Sequence, residues 1–137
     1  MANAIYPKWK EQLINGFASL GGVSLDNAVR AVLVDTGVYT YSDSHEFVSD
    51  LTGIVGTQSA TFTNKTFTNG VFDADNISFT SVTGNSAEAI VIFVGSTASP
   101  TTSRLVAYLD SGFTGLPVTP NGGDIMVSWN ASGIFKL

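Results

Sequence analysis

The run AEAIVIFV, residues 87–94, does most to limit what this chain can fold into. It carries apolar side chains on both faces of an extended backbone. A strand of that kind must lie between layers rather than at a surface, because a single solvated face would leave half of its side chains in water. VRAVLVD (29–35) and RLVAYLD (104–110) are similar short runs, rich in β-branched and large apolar residues. Three such strands call for a sheet covered on both sides.

The remainder of the second half alternates with a period of two. Ala60 and Phe62 mark one strand and residues 65–71 another. Ile77, Phe79 and Ser81 alternate with Ser78, Thr80 and Val82 in a third. In the closing segment, 124–137, Ile125, Val127, Trp129 and Ala131 share one face. NASG (130–133) reads as a tight turn before a short final strand, 134–137. About seven strands spaced by roughly 10–15 residues, without helical crossovers, predict antiparallel sheets. The expected fold is mostly β, an antiparallel β-sandwich with the jelly roll as one arrangement, in a single domain over 1–137. The loops 95–103 and 112–123 are the expected mobile edges.

Two helical pieces stand out. Pro7 suits a first helical turn, and Trp9, Leu13, Ile14 and Phe17 recur at helical spacing before Gly21-Gly22. This predicts an amphipathic helix over 7–20 that packs on its own sheet or on a partner subunit. Tyr6, Trp9, Leu13 and Phe17 are its candidate partner-binding residues. A second short helix is predicted near 43–51, where Asp43 stands three residues before Glu46, the spacing of a capping box.

Composition limits function. Charged residues make up 12% of the 137, about half the usual share for a globular domain. The six basic residues are scattered and the net charge is −5. No basic stripe exists to neutralise phosphates, so neither nucleic acid nor an anionic membrane is an expected partner. With no cysteine, disulfides, thiolate metal sites and cysteine nucleophiles are excluded. The N-terminal MANAIYPKWKEQL lacks a signal-peptide layout, and synthesis in a cytoplasm is expected. The sequons at Asn64, Asn76 and Asn130 then carry no role.

The candidate chemical residues are few. His45, the only histidine, has Asp43, Glu46 and Asp50 around it. Catalysis would require a nucleophile or second titrating group in hydrogen-bond reach, and a metal site would require further imidazoles or thiolates. The sequence offers no second imidazole and no thiolate, and His45 is expected to be part of a helix start. FDADN (72–76) sets Asp73 and Asp75 near Asn76, as in half of a calcium loop. The central glycine and the distal Glu of an EF-hand are missing. An Asx-turn is the simpler expectation, with a weak cation site at Asp73 and Asp75 as the alternative. No spacing selects a carboxylate pair for sugar hydrolysis. Trp129 is expected in a core or interface. No catalytic residue, metal or cofactor is expected, and the chain does not read as an enzyme.

The blocks YPKWK (6–10), VRAVLVDTGVYTYSDSHEF (29–47), VFDADNISFTSV (71–82), AEAIVIFV (87–94), SRLVAYLD (103–110) and NGGDIMVSWNASGIFKL (121–137) resemble a family of small tailed-bacteriophage virion structural proteins. The resemblance implies a virion component. The favoured form is a capsid decoration (cement) protein on the capsid surface, bound to the major capsid protein or another virion protein, as a homo-oligomer with a trimer favoured. The alternative is a tail or head-fibre component that binds host glycans or another virion protein through the loops 95–103 and 112–123.

Overall fold

The computed structural model describes residues 2–15 and 28–137. Strand far outweighs helix, 36% against 7%, so the protein is mostly β, and every paired strand among the described residues is antiparallel.

The apolar runs form the principal sheet. Its strands are β1 (Ala4–Ile5), β2 (Val29–Val34), β3 (Ile54–Val55), β7 (Ala89–Val94) and β8 (Arg104–Leu109), in the order β1-β8-β7-β2-β3. Two three-stranded sheets follow. One joins β6 (Ile77–Phe79), β10 (Ile125–Trp129) and β9 (Phe113–Thr114) in the order β6-β10-β9. The other joins β4 (Thr66–Thr68), β5 (Val71–Asp73) and β11 (Phe135–Lys136) in the order β11-β5-β4.

β7 is buried along its full length on both faces, as its sequence requires. Each of Ile90, Ile92 and Phe93 removed from water contributes roughly 1.5–3 kcal/mol. β2 and β8 flank it and are buried almost as completely. Beyond β3, the next segment continues along the edge of β2: the Ser59 amide donates to Ala31 O at 2.9 Å and the Phe62 amide to Val29 O at 2.8 Å. The predicted strand at Ala60 and Phe62 is thus an edge segment. Phe62 then carries the core across to the smaller sheets by packing against Phe72 and Trp129. In β10 the two-residue period is plain, with Ile125 and Val127 buried and Met126 60% exposed between them. The predicted strand over 65–71 is instead a hairpin, β4 to β5, turned at Asn69-Gly70, both at positive φ, as two-residue hairpin turns require.

The N-terminal helix α1 spans Pro7–Asn15 and packs against β8. Trp9 and Tyr6 are 2% and 0% exposed. Both side chains belong to the chain's own core, so the partner-binding role expected of them is not open to them. Leu13 lies in α1, but its side chain is outside the description, and Phe17 with the rest of 16–20 lies outside the described residues.

The predicted helix near 43–51 is shorter and starts later. A single 3-10 turn spans Val48–Asp50, entered from Phe47, which is extended at φ −123, ψ 162. The physical cause is pairing with the N-terminal end of β8. Val48 N donates to Ser103 O at 2.9 Å and Leu105 N to Glu46 O at 2.9 Å, which holds Phe47 extended against Arg104. Asp43 and Glu46 therefore do not cap this helix. The reach-back is made by Asp50, whose Oδ2 accepts from the amides of Glu46 and Phe47 at 2.8 and 3.0 Å.

Candidate functional site

The lone histidine sits in a cluster that holds all four tyrosines of the chain. Tyr39 and Tyr41 lie on the segment after β2, Tyr6 stands between β1 and α1, and Tyr108 is on β8. The rings pack at centroid distances of 5.0 Å (Tyr6–Tyr41), 6.3 Å (Tyr39–Tyr108) and 5.8 Å (Tyr41–Tyr108). A hydrogen-bonded chain runs through them. The Tyr6 and Tyr39 hydroxyls are 2.7 Å apart, and the Tyr39 hydroxyl is 2.8 Å from His45 Nδ1. The inner end of this relay is buried and the His45 end is half-buried.

The electrostatics favour protons that stay in place. Burial pushes the Tyr39 hydroxyl up to about 12, opposed only by the hydrogen bond with Tyr6. Burial raises Tyr6 further, helped by the Tyr39 hydroxyl. Tyr41 is raised by burial and by its bond to the Asp43 carboxylate, at 2.9 Å. Tyr108 is raised by burial, then by Asp110 and Glu88. Tyrosines so held donate hydrogen bonds and do not act as bases near neutrality. The Asp50 carboxyl moves the other way. Partial burial pushes it up, but the Phe47 and Glu46 amides and nearby His45 outweigh that and hold it below its ordinary value.

Glu46 and Arg104 close the outer side of the cluster. Arg104 Nη1 lies 2.6 Å from Glu46 Oε1, and the guanidinium sits 4.8 Å from the centroid of the Phe47 ring. Together with the backbone pairing of 46–48, this ties the His45 segment to β8. Among the described residues, the hydrogen bond of the His45 ring runs to Tyr39, not to a serine or threonine that it could activate.

The Asp73–Asp75 stretch forms an internal network. Asp75 Oδ2 accepts from Thr63 Oγ1 at 3.1 Å and Asn64 Nδ2 at 2.6 Å, while Asp73 Oδ1 accepts from the Ala74 amide at 2.9 Å. Among the described residues, no group of three His, Asp or Glu side chains converges as metal ligands. The loop at 95–103 is knitted by the Ser103 hydroxyl, which accepts from the Ser96 amide and bonds Ser96 O and Ser99 O, each at 2.9 Å.

No protein-family model matches the chain, and no match was found among curated proteins.

An open cleft of about 310 Å³ lies between β9 and the end of β10, lined by Phe113, Thr114, Ser128, Trp129, Asn130 and Gly112. Trp129, expected in a core or interface, is half-buried there. The tyrosines were legible only as a Y-x-Y beside the histidine; nothing local in the sequence joins them to Tyr6 and Tyr108, which arrive through sheet pairing. No helix among the described residues is long and apolar enough to cross a membrane.

Proposed function

We propose that this protein is a bacteriophage virion structural protein, a capsid decoration (cement) protein that binds and stabilises the major capsid lattice as a homo-oligomer, with a trimer favoured. One observation carries the reading: the side chains best placed for acid–base work are committed to each other. His45 is bonded to Tyr39, Tyr39 to Tyr6, Glu46 to Arg104, and Asp50 to two amides. Such a cluster stiffens a domain, and stiffness without chemistry is what a shell component needs. The resemblance of the strand blocks to small tailed-phage virion proteins supports the same role.

The three sheets are read as a β-sandwich of jelly-roll type. Support comes from the core, in which Val32, Ile92 and Val106 of the principal sheet belong to one cluster with Phe72, Phe79 and Val127 of the smaller ones. With Tyr6 and Trp9 buried, the partner surface is assigned elsewhere. The edge strand β4 is exposed throughout and carries Phe67 at 48% exposure, and Leu137 at 46% bonds back to Gly70 beside it. An open strand edge with apolar side chains is a ready surface for protein association.

The mechanism is mass action. A ligand that binds only the expanded shell stabilises it by RT ln(1 + [L]/Kd), about 2.7 kcal/mol at a hundredfold excess over Kd. The test is the copy number per purified virion by quantitative mass spectrometry. Hundreds of copies in simple ratio to the capsid subunit are expected, with added protein raising the melting temperature of stripped capsids. A handful of copies would move the assignment to the neck, tail or fibres, and absence from the particle would sink a structural role.

A further inference from the structure

We infer that the cleft between β9 and the end of β10 binds a neutral carbohydrate. Trp129 is the centre of the argument. Its indole Nε1 donates to Asp75 O at 3.1 Å and its backbone amide to Asn76 Oδ1 at 3.0 Å. Phe62 packs on it at 5.8 Å, and Phe113, its cross-strand partner in the β9–β10 ladder, meets it edge-on at 6.0 Å and 74°. The ring is therefore locked, and its one polar atom is already used. What a half-buried, locked indole offers outward is an apolar, electron-rich surface at no further conformational cost.

The rest of the lining fixes the ligand class. Thr114, Ser128 and Asn130 supply hydroxyl and amide groups, and among the described residues no charged side chain lines the cleft. The carboxylate of Asp75, whose backbone carbonyl accepts from the Trp129 indole, is held by Thr63 and Asn64. An anionic or cationic ligand would be stripped of water with no counter-charge in return. A flat apolar ligand would be poorly served by an open, polar-rimmed cleft of about 310 Å³, at the small end of the range for ligand sites. A pyranose meets both demands: its C–H face packs on the indole while its hydroxyls remain partly hydrated and bond to the rim. This inference does not depend on the capsid role, since a shell protein and a fibre protein could each carry such a site.

The experiment is a two-dimensional amide and indole NMR titration of the intact chain with methyl glycosides of glucose, galactose, mannose and N-acetylglucosamine, and with galacturonate as a charged control. The chain has two tryptophans, so the buried Trp9 indole is an internal reference. Expected is a saturable shift of the Trp129 indole and of amides around 112–114 and 128–130 with at least one neutral glycoside, while the Trp9 indole stays still. Galacturonate should bind at least several-fold more weakly than galactoside. Thr114→Arg, at an exposed rim position, should lower affinity roughly tenfold or more with the remaining spectrum unchanged. Phe113→Leu, which keeps an apolar contact on Trp129, should weaken binding and serves if the arginine variant fails to fold. No saturable shift with any neutral glycoside, galacturonate binding as tight as galactoside, or shifts that survive both substitutions would each overturn the assignment.

Discussion

Removing the middle hydroxyl of the relay should cost more than removing the inner one, and removing both should cost less than the two changes added together. In Tyr39→Phe, the Tyr6 hydroxyl, 0% exposed and 2.7 Å from its partner, is left buried without a bond. An orphaned buried hydroxyl costs about 1–3 kcal/mol. His45, half-buried at the outer end, can turn to water and loses little. In Tyr6→Phe, by contrast, Tyr39 keeps its 2.8 Å bond to His45, and only one neutral hydrogen bond is lost, worth about 1 kcal/mol. The double variant Tyr6→Phe/Tyr39→Phe has no orphan, so its cost should fall near that of Tyr6→Phe, about 1 kcal/mol, against a sum of about 3 kcal/mol. The assay is equilibrium urea unfolding followed by tryptophan fluorescence, with the denaturant slope required to stay constant across the set. Additivity of the two single changes within about 0.5 kcal/mol, or a larger cost for Tyr6→Phe than for Tyr39→Phe, would refute the relay as a structural unit.

Four further outcomes are expected. A tyrosine whose folded pKa is raised binds its proton more tightly in the native state, so its contribution is intact below the ordinary value of 10.0 and is lost as pH rises toward about 12 for Tyr39; ultraviolet titration should show most tyrosinate appearing together with alkaline unfolding rather than before it. Asp50 runs oppositely: its folded pKa is lowered, so its contribution is intact above the ordinary carboxyl range and fades as pH falls through the lowered value, and Asp50→Asn should flatten the acid side of the stability–pH curve. Gly115 sits at φ +117, and a Cβ there would collide with the backbone oxygen of Met126, so Gly115→Ala should cost about 1–3 kcal/mol and lower the melting temperature. Arg104→Ala removes both the Glu46 ion pair and the contact with Phe47; stability should fall by about 1 kcal/mol, and limited proteolysis should begin in 39–51.

What could be read from the sequence divides according to how local the physics is. The strands at Val29–Val34, Ala89–Val94 and Arg104–Leu109 were legible because burial on both faces writes a continuous apolar run. The alternation of Ile125, Met126 and Val127 was legible because one face of β10 is solvated. By contrast, β1, β3 and β9 are two residues long, too short for any period to register; they exist because a neighbouring strand offers free hydrogen bonds. The capping spacing of Asp43 and Glu46 misled for the same reason. Capping is a local preference worth about 1 kcal/mol. It lost to a set of long-range bonds, from Leu105 to Glu46 and from Val48 to Ser103, together with the Arg104–Glu46 pair.

That competition also explains why both sites were only half visible. His45 was noticed for its chemistry, and the residue that defines its behaviour, Tyr39, was visible beside it. Tyr6 and Tyr108, which close the cluster, lie 33 residues before Tyr39 and far beyond it on β8. Alternation places Trp129 in a core or interface, since it shares a face with Ile125 and Val127. The strand ends there, however: Asn130 turns the chain through its bond to the Ser132 amide, and only the two-residue β9 lies alongside. An alternating pattern reports which face a side chain is on and not whether the neighbouring layer extends far enough to cover it. Here the covering layer stops at Phe62 and Phe113, and the remaining face of Trp129 is left to solvent or to a ligand. A site of this kind arises at the frayed corner of a sheet, where local pattern still says core and the packing no longer does.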